Sequence, residues 1–300
     1  MSELTTELST RRNVLAATAI PVWTFLRSSK LGMFSAFFLL LALIAALCAD
    51  VIAPFDPTQG HYDAVRTAPS WNTYYLGTDD YGRDVLSRLI FGARISLLVG
   101  ISATLLGDIF GLFWGLLSGY LGRTFDLISQ RGLDILMAFP NLILAMLIMV
   151  SIGTGITTVI IAVAVGRIPA TTRIIRSVVL SVKETAYVDS AHAIGATSAR
   201  IMLRHVLPQC VAPFLVLLSV HIGISIIAES SLSYLGIGIP PPNASWGNML
   251  GEATSGVFKP DWWMAVAPGF AITLIVLSSN LMGDALRDFL DPRLRGRLEE

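Results

Sequence analysis

Charge is scarce in this chain. Asp, Glu, Lys and Arg make up 14% of its 300 residues against 54% hydrophobic, whereas a soluble domain carries about 25% charged residues. That excludes an ordinary soluble fold and points to a bilayer. A basic excess is missing as well, since 21 Lys and Arg balance 21 Asp and Glu. No nucleic-acid partner is expected, because such a footprint needs clustered positive charge. Cysteine is limited to Cys48 and Cys210, which the topology below sets near opposite membrane faces, too far apart for a disulfide. They read as packing residues. Of the four histidines, His61, His192 and His205 show no ligand spacing with His221, so no metal is expected. The lysines, Lys30, Lys183 and Lys259, follow Ser29, Val182 and Phe258. None completes the Gly-Lys-Ser/Thr ending with which a P-loop cradles phosphate, so ATP hydrolysis by that route is excluded. The first twenty residues lack the apolar core and small-residue cleavage site of a signal peptide.

Long apolar runs are what the chain has in abundance. A crossing helix needs about 20 mostly apolar residues. Leu31 to Ala49 is the first candidate, and Ile95 to Leu121, interrupted only by Asp108, is the second. Ile135 to Gly166 is uncharged throughout and too long for one crossing at 1.5 Å per residue. The glycines of Ser151 to Gly155 split it into a third span ending near Val150 and a fourth from Ile156 to about Val178. Val206 to Ala228 and Trp262 to Gly283 are the fifth and sixth.

Six spans put both termini on one side, and the distribution of Lys and Arg says which. Of 21 such residues, only Arg66, Arg83, Arg88, Arg94 and Lys259 fall on the side opposite the N-terminus, so the termini are expected in the cytosol. The chain then divides into a cytosolic tail (1–30), a membrane domain (31–285) and a second cytosolic tail (286–300). Outer loops are expected at about 50–92 and 236–262, and a cytosolic loop at about 180–208.

That cytosolic loop, KETAYVDSAHAIGATSARIMLRHVLP from Lys183 to Pro208, is polar and rich in small residues. Tyr187, Ala191 and Ile194 fall at i, i+4 and i+7 of one short helix. Gly195 offers a stop, and Thr197 or Ser198 a cap for a second helix. A hairpin under the membrane is expected, with Ser190, Ala191, Ala193, Gly195 and Ala196 small enough to admit another surface. A plain connecting loop is the other reading that composition allows.

YVDSAHAIGATSARIMLRHVLP resembles the "EAA" loop of ABC importer permeases, with Asp189 and Ser190 where that family usually has Glu and Ala, and Ala191, Gly195 and Pro208 in place. LGTDDYGRDVLSRLIFGARISLLVG (76–100), ESSLSYLGIGIPPPNASWGNML (229–250) and NLMGDALRDFLDPRLRG (280–296) are similar to dipeptide, oligopeptide and nickel permease subunits, the second, C-type permease of such systems. The resemblance runs from about residue 25 to the C-terminus. It implies an all-α membrane protein of the type I importer fold, with six transmembrane helices and a coupling hairpin between the fourth and fifth. It further implies that Tyr187, Asp189, Ser190, Ala191 and Gly195 face a partner ATPase, which alone binds ATP and Mg. Implied too are a homologous second permease, an extracytoplasmic substrate-binding protein and a bacterial inner-membrane location. The solute would be a peptide or a related small molecule such as haem or a nickel chelate.

Three side chains at membrane depth are candidates for the translocation path, because a buried charge is costly and usually faces a cavity or partner. Asp108 lies mid-span, and a local pairing would account for it as well. Glu229 sits near the outer end of the fifth span, where it would either line the path or hold the outer loop by hydrogen bonds. His221 is a path candidate whose alternative is hydrogen-bonded packing. In a proton-coupled secondary transporter, the competing reading, these three would form a relay, although no internal repeat of the kind such folds show is visible. Arg167, in Arg167-Ile168-Pro169, is expected near the inner interface as a hinge or anchor.

Overall fold

A computed structural model describes residues 29–255 and 261–290. Lys259 and most of both expected tails lie outside the described residues. The regular structure described is helical, apart from one bridge between Thr78 and Asp84. Helix α1 spans Lys30–Leu47, where Ser29 Oγ accepts from the Gly32 amide at 3.0 Å, and a short α2 follows at Ala49–Ile52. Most of the large side chains of α1 are exposed, as suits a helix bathed in lipid.

Helix α3 runs over Val85–Leu121, ten residues earlier than the second apolar run begins. Asp84 starts it by accepting from both the amide and the hydroxyl of Ser87 at 2.7 Å, which satisfies an otherwise orphaned amide. At about 1.5 Å per residue it is some 55 Å long, longer than a hydrocarbon layer of roughly 30 Å requires.

The third span differs from the expected straight helix beginning at Ile135. Helix α4 (Arg123–Met137) and helix α5 (Asn141–Ile152) meet at 87°. Pro140 forces the break, since it excludes helical geometry for the residue before it and cannot donate to the turn behind it. Helix α6 (Ile156–Lys183) follows, then α7 (Ala186–Ala193), α8 (Ser198–Ile201), a π-turn (Met202–Val206) and α9 (Leu207–Tyr234). The loop after α9 carries α10 (Trp246–Ser255), and α11 (Trp262–Leu290) ends the described chain. Among the described residues five helical stretches are long and apolar enough to cross a membrane, and six if the bent α4–α5 pair counts as one.

Helices α3 and α6 make the most extensive helix contact. Gly107, Gly111, Gly115 and Gly119 recur every fourth residue along α3 and so lie on one face. A Cβ on Gly107 would stand 2.5 Å from the Ala164 carbonyl oxygen, and one on Gly115 would stand 2.6 Å from that of Thr172. Lipid offers no hydrophobic drive between helices, so close backbone approach over small residues is how such a pair holds. At the end of this pair nearest the polar segment, Leu112, Leu116, Ile175 and Val179 form a core with Val188, Ala191, Ile201 and Val206.

Candidate functional site

The polar segment folds as the expected hairpin. Helix α7 is closed by Gly195, two residues past its last residue, Ala193. Gly195 adopts φ +78°, a conformation open to glycine at little cost. Its amide donates to the His192 carbonyl at 2.9 Å, and the Ala196 amide to that of Ala191 at 3.1 Å, the paired closure of a Schellman end. The Thr197 hydroxyl then caps α8.

The hairpin is rotated relative to the sequence reading. Val188 and Ala191 face the inner core, being 0% and 4% exposed, while Tyr187 and Ile194 face out at 42% and 85%. Ala191 is therefore spent on the chain's own packing and is not presented outward. Tyr187 donates from its hydroxyl to the His205 carbonyl at 3.2 Å, bracing α7 against the π-turn, and Ser190 donates to the Ala186 carbonyl at 2.8 Å. Asp189 is exposed in the first turn, where the helix dipole favours a carboxylate. No neighbouring atom lies within 4 Å of where a Gly195 Cβ would sit. Tyr187, Asp189, Ser190, Ile194 and Gly195 are thus all accessible, and Ile194, which the sequence marks only as part of an apolar stripe, is a large apolar side chain left exposed.

The three path candidates separate into two groups. Asp108 and His221 come together, with Nδ1 at 2.9 Å from both carboxylate oxygens. A carboxylate only accepts, so Nδ1 carries the hydrogen. The Thr171 hydroxyl donates to the same carboxylate, and α3, α6 and α9 are tied at one point. Glu229 lies two turns further along α9, about 12 Å at helical rise. It accepts from Ser96 at 3.0 Å and Ser233 at 2.8 Å, while the Trp246 amide donates to Ser96 Oγ at 3.3 Å. This is the loop-holding arrangement. Asp108 and Glu229 are fully buried and His221 nearly so, and none of them lines the cavity between α5, α6 and α9. Arg167 does line it. Arg167 lies in the middle part of α6, eleven residues after Ile156 and sixteen before Lys183.

The loop before α3 and helix α10 share an ion network that the sequence alone leaves unassigned. Arg83 reaches Asp79 at 2.7 Å and Glu252 at 2.8 Å, and Arg88 reaches the same two carboxylates at 3.0 and 2.9 Å. It joins the loop before α3, the first turn of α3 and α10. Burial pushes the Glu252 carboxyl up to about 7, against the pull of Arg83. Asp79 and Arg83 stand in the quoted LGTDDYGRD stretch, but Glu252, the second partner of Arg83, lies 169 residues away.

The family described as binding-protein-dependent transport system inner membrane component matches residues 111–296, more than half of the chain. The chain belongs to this family. The N-terminal transmembrane domain of oligopeptide transport permease C matches residues 21–69. This chain is 38% identical over 278 residues to the di/tripeptide transport system permease protein DppC of Pseudomonas aeruginosa, covering 91% of each chain. It is 42% identical over 276 residues to the glutathione transport system permease protein GsiD of Escherichia coli, covering 91% of this chain and 90% of that one. A putative peptide transport system permease protein of Brucella suis is 42% identical over 274 residues, covering 90% and 89%. The chain is therefore a permease subunit of an ABC importer, of the C-type that its motifs resemble.

Proposed function

We propose that this permease carries a peptide inward, pairing with a second permease and driven by ATPase subunits that dock on the α7–α8 hairpin. An extracytoplasmic binding protein delivers the solute to the outer loops, and both termini lie in the cytosol of a bacterial cell. The observation that carries the proposal is the hairpin's two-sidedness. Its inner face is packed into the core at the cytosolic ends of α3 and α6, and its outer face leaves Ile194 85% exposed. The peptide solute is supported by the di/tripeptide, glutathione and peptide permeases to which the chain is similar over about nine-tenths of its length.

The mechanism follows from this packing. ATP and Mg on the partner subunits draw the ATPases together, and the hairpins move with them. Val188, Ala191, Ile201 and Val206 pass that motion to Leu116, Ile175 and Val179. Helices α3 and α6, in contact along four glycines, move as one body. The Asp108–Thr171–His221 tie carries the displacement to α9, and access alternates from outside to inside.

The test is copurification from mild detergent of the tagged permease with its partners, followed by an ATPase assay. Ile194→Asp is expected to insert normally while losing at least tenfold of the ATPase activity recovered with it. Full recovery of ATPase subunits and activity by that variant would refute docking at this hairpin.

A further inference from the structure

A cavity of about 210 Å³ opens between α5, α6 and α9, walled by Leu142, Ile224 and Ile227 and edged by the polar side chains of Asn141, Arg167 and Ser231. Arg167 is 7% exposed, and its Nε is buried without a hydrogen-bond partner. No ion pair or hydrogen bond joins its guanidinium to a described residue. Asp108 acts on it electrostatically, but that carboxylate is already engaged by Thr171 and His221. Eleven residues below the outer end of α6, Arg167 sits about 17 Å down a layer roughly 30 Å thick. That depth is beyond a lipid headgroup.

An arginine held at mid-membrane with no hydrogen-bond or ion-pair partner on its guanidinium is costly, and such residues mark solute pathways. Its planar fork matches a carboxylate in a bidentate pair. We propose that this cavity is a transient binding subsite for a carboxylate of the translocating solute, with Arg167 as the anion's partner. Asn141 and Ser231 supply further hydrogen-bonding groups, and the apolar wall accommodates side-chain carbon. The inference rests on the importer reading and adds to it a place in this chain where the solute is held.

The complete transporter, reconstituted in nanodiscs without its binding protein, is titrated with labelled alanyl-alanine and with alanyl-alanine amide. ATP-driven uptake by the same assembly in proteoliposomes is measured in parallel. Wild type is expected to bind the acid at least tenfold more tightly than the amide, Arg167→Gln to lose that preference, and Arg167→Lys to retain part of it. Equal binding of acid and amide by wild type, or an unchanged preference in Arg167→Gln, would overturn the inference while uptake leaves the importer reading intact. Loss of the second permease from purified Arg167→Gln complex would also overturn it, because the cavity would then receive a partner's side chain. Wild-type assembly without ATP-driven uptake of any peptide would remove the importer reading and this inference together.

Discussion

Adding one methyl group at Gly115 tests whether α3 and α6 are held by close backbone approach. The Cβ of Gly115→Ala would stand 2.6 Å from the Thr172 carbonyl oxygen, 3.0 Å from Ile175 Cβ and 3.1 Å from the Arg176 amide nitrogen. Backbone cannot swing aside as a flexible side chain can, so α6 must retreat by about 0.8 Å to restore ordinary contact. The retreat loosens packing at Gly111 and Gly119 too. Overpacking of this kind costs about 1–3 kcal/mol. The helix propensity of alanine offsets little, because a helix unfolded within a micelle remains a helix. Gly132→Ala is the internal control: it lies in α4 with no atom within 4 Å of its added Cβ, and is expected to leave the midpoint unchanged. Unfolding by SDS titration in mixed micelles, followed by tryptophan fluorescence, compares the two. A Gly115→Ala midpoint at or above wild type, or equal destabilisation by Gly132→Ala, would refute the reasoning.

Asp108→Ala removes the acceptor shared by Thr171 and His221 and is expected to lower stability in the same titration by about 1–2 kcal/mol, the range of hydrogen bonds between membrane helices; an unchanged midpoint would show that the tie contributes nothing. The Glu252 carboxyl, raised from 4.5 to about 7, binds more protons folded than unfolded between those values. Its contribution therefore falls as pH rises through that window, by on the order of 3 kcal/mol at most. Glu252→Gln should flatten the pH dependence of unfolding between pH 4.5 and 7, and an unaltered slope would contradict the burial of that group.

The crossings were legible because apolar runs of about 20 residues leave few alternatives to a membrane helix, and the hairpin because a polar segment of small residues interrupts them. Charge concealed the rest. Arg88 and Arg94 read as loop residues, yet α3 includes both: Arg88 is 1% exposed and neutralised by Asp79 and Glu252. Arg94 reaches out to Asp50 at 2.8 Å. The bend before α5 was hidden inside an uncharged run, although Pro140 marked it. The facing of α7 could not be read from apolarity alone, because Tyr187, Val188, Ala191 and Ile194 are all apolar and only the positions of α3 and α6 select Val188 and Ala191 for burial. The glycines of α3 are visible as a four-residue spacing, but spacing does not name the helix they meet. Asp108 and His221 are 113 residues apart, and the fold alone joins them.

The most direct measurement of the central claim is solute uptake into proteoliposomes holding this permease with its partner permease and ATPase subunits, under two driving forces applied separately. Uptake of alanyl-alanine is expected with enclosed ATP and added binding protein, to persist when a protonophore collapses the proton gradient, and to cease in Ile194→Asp. Uptake driven by a proton gradient alone, by this chain without ATPase subunits, would contradict it.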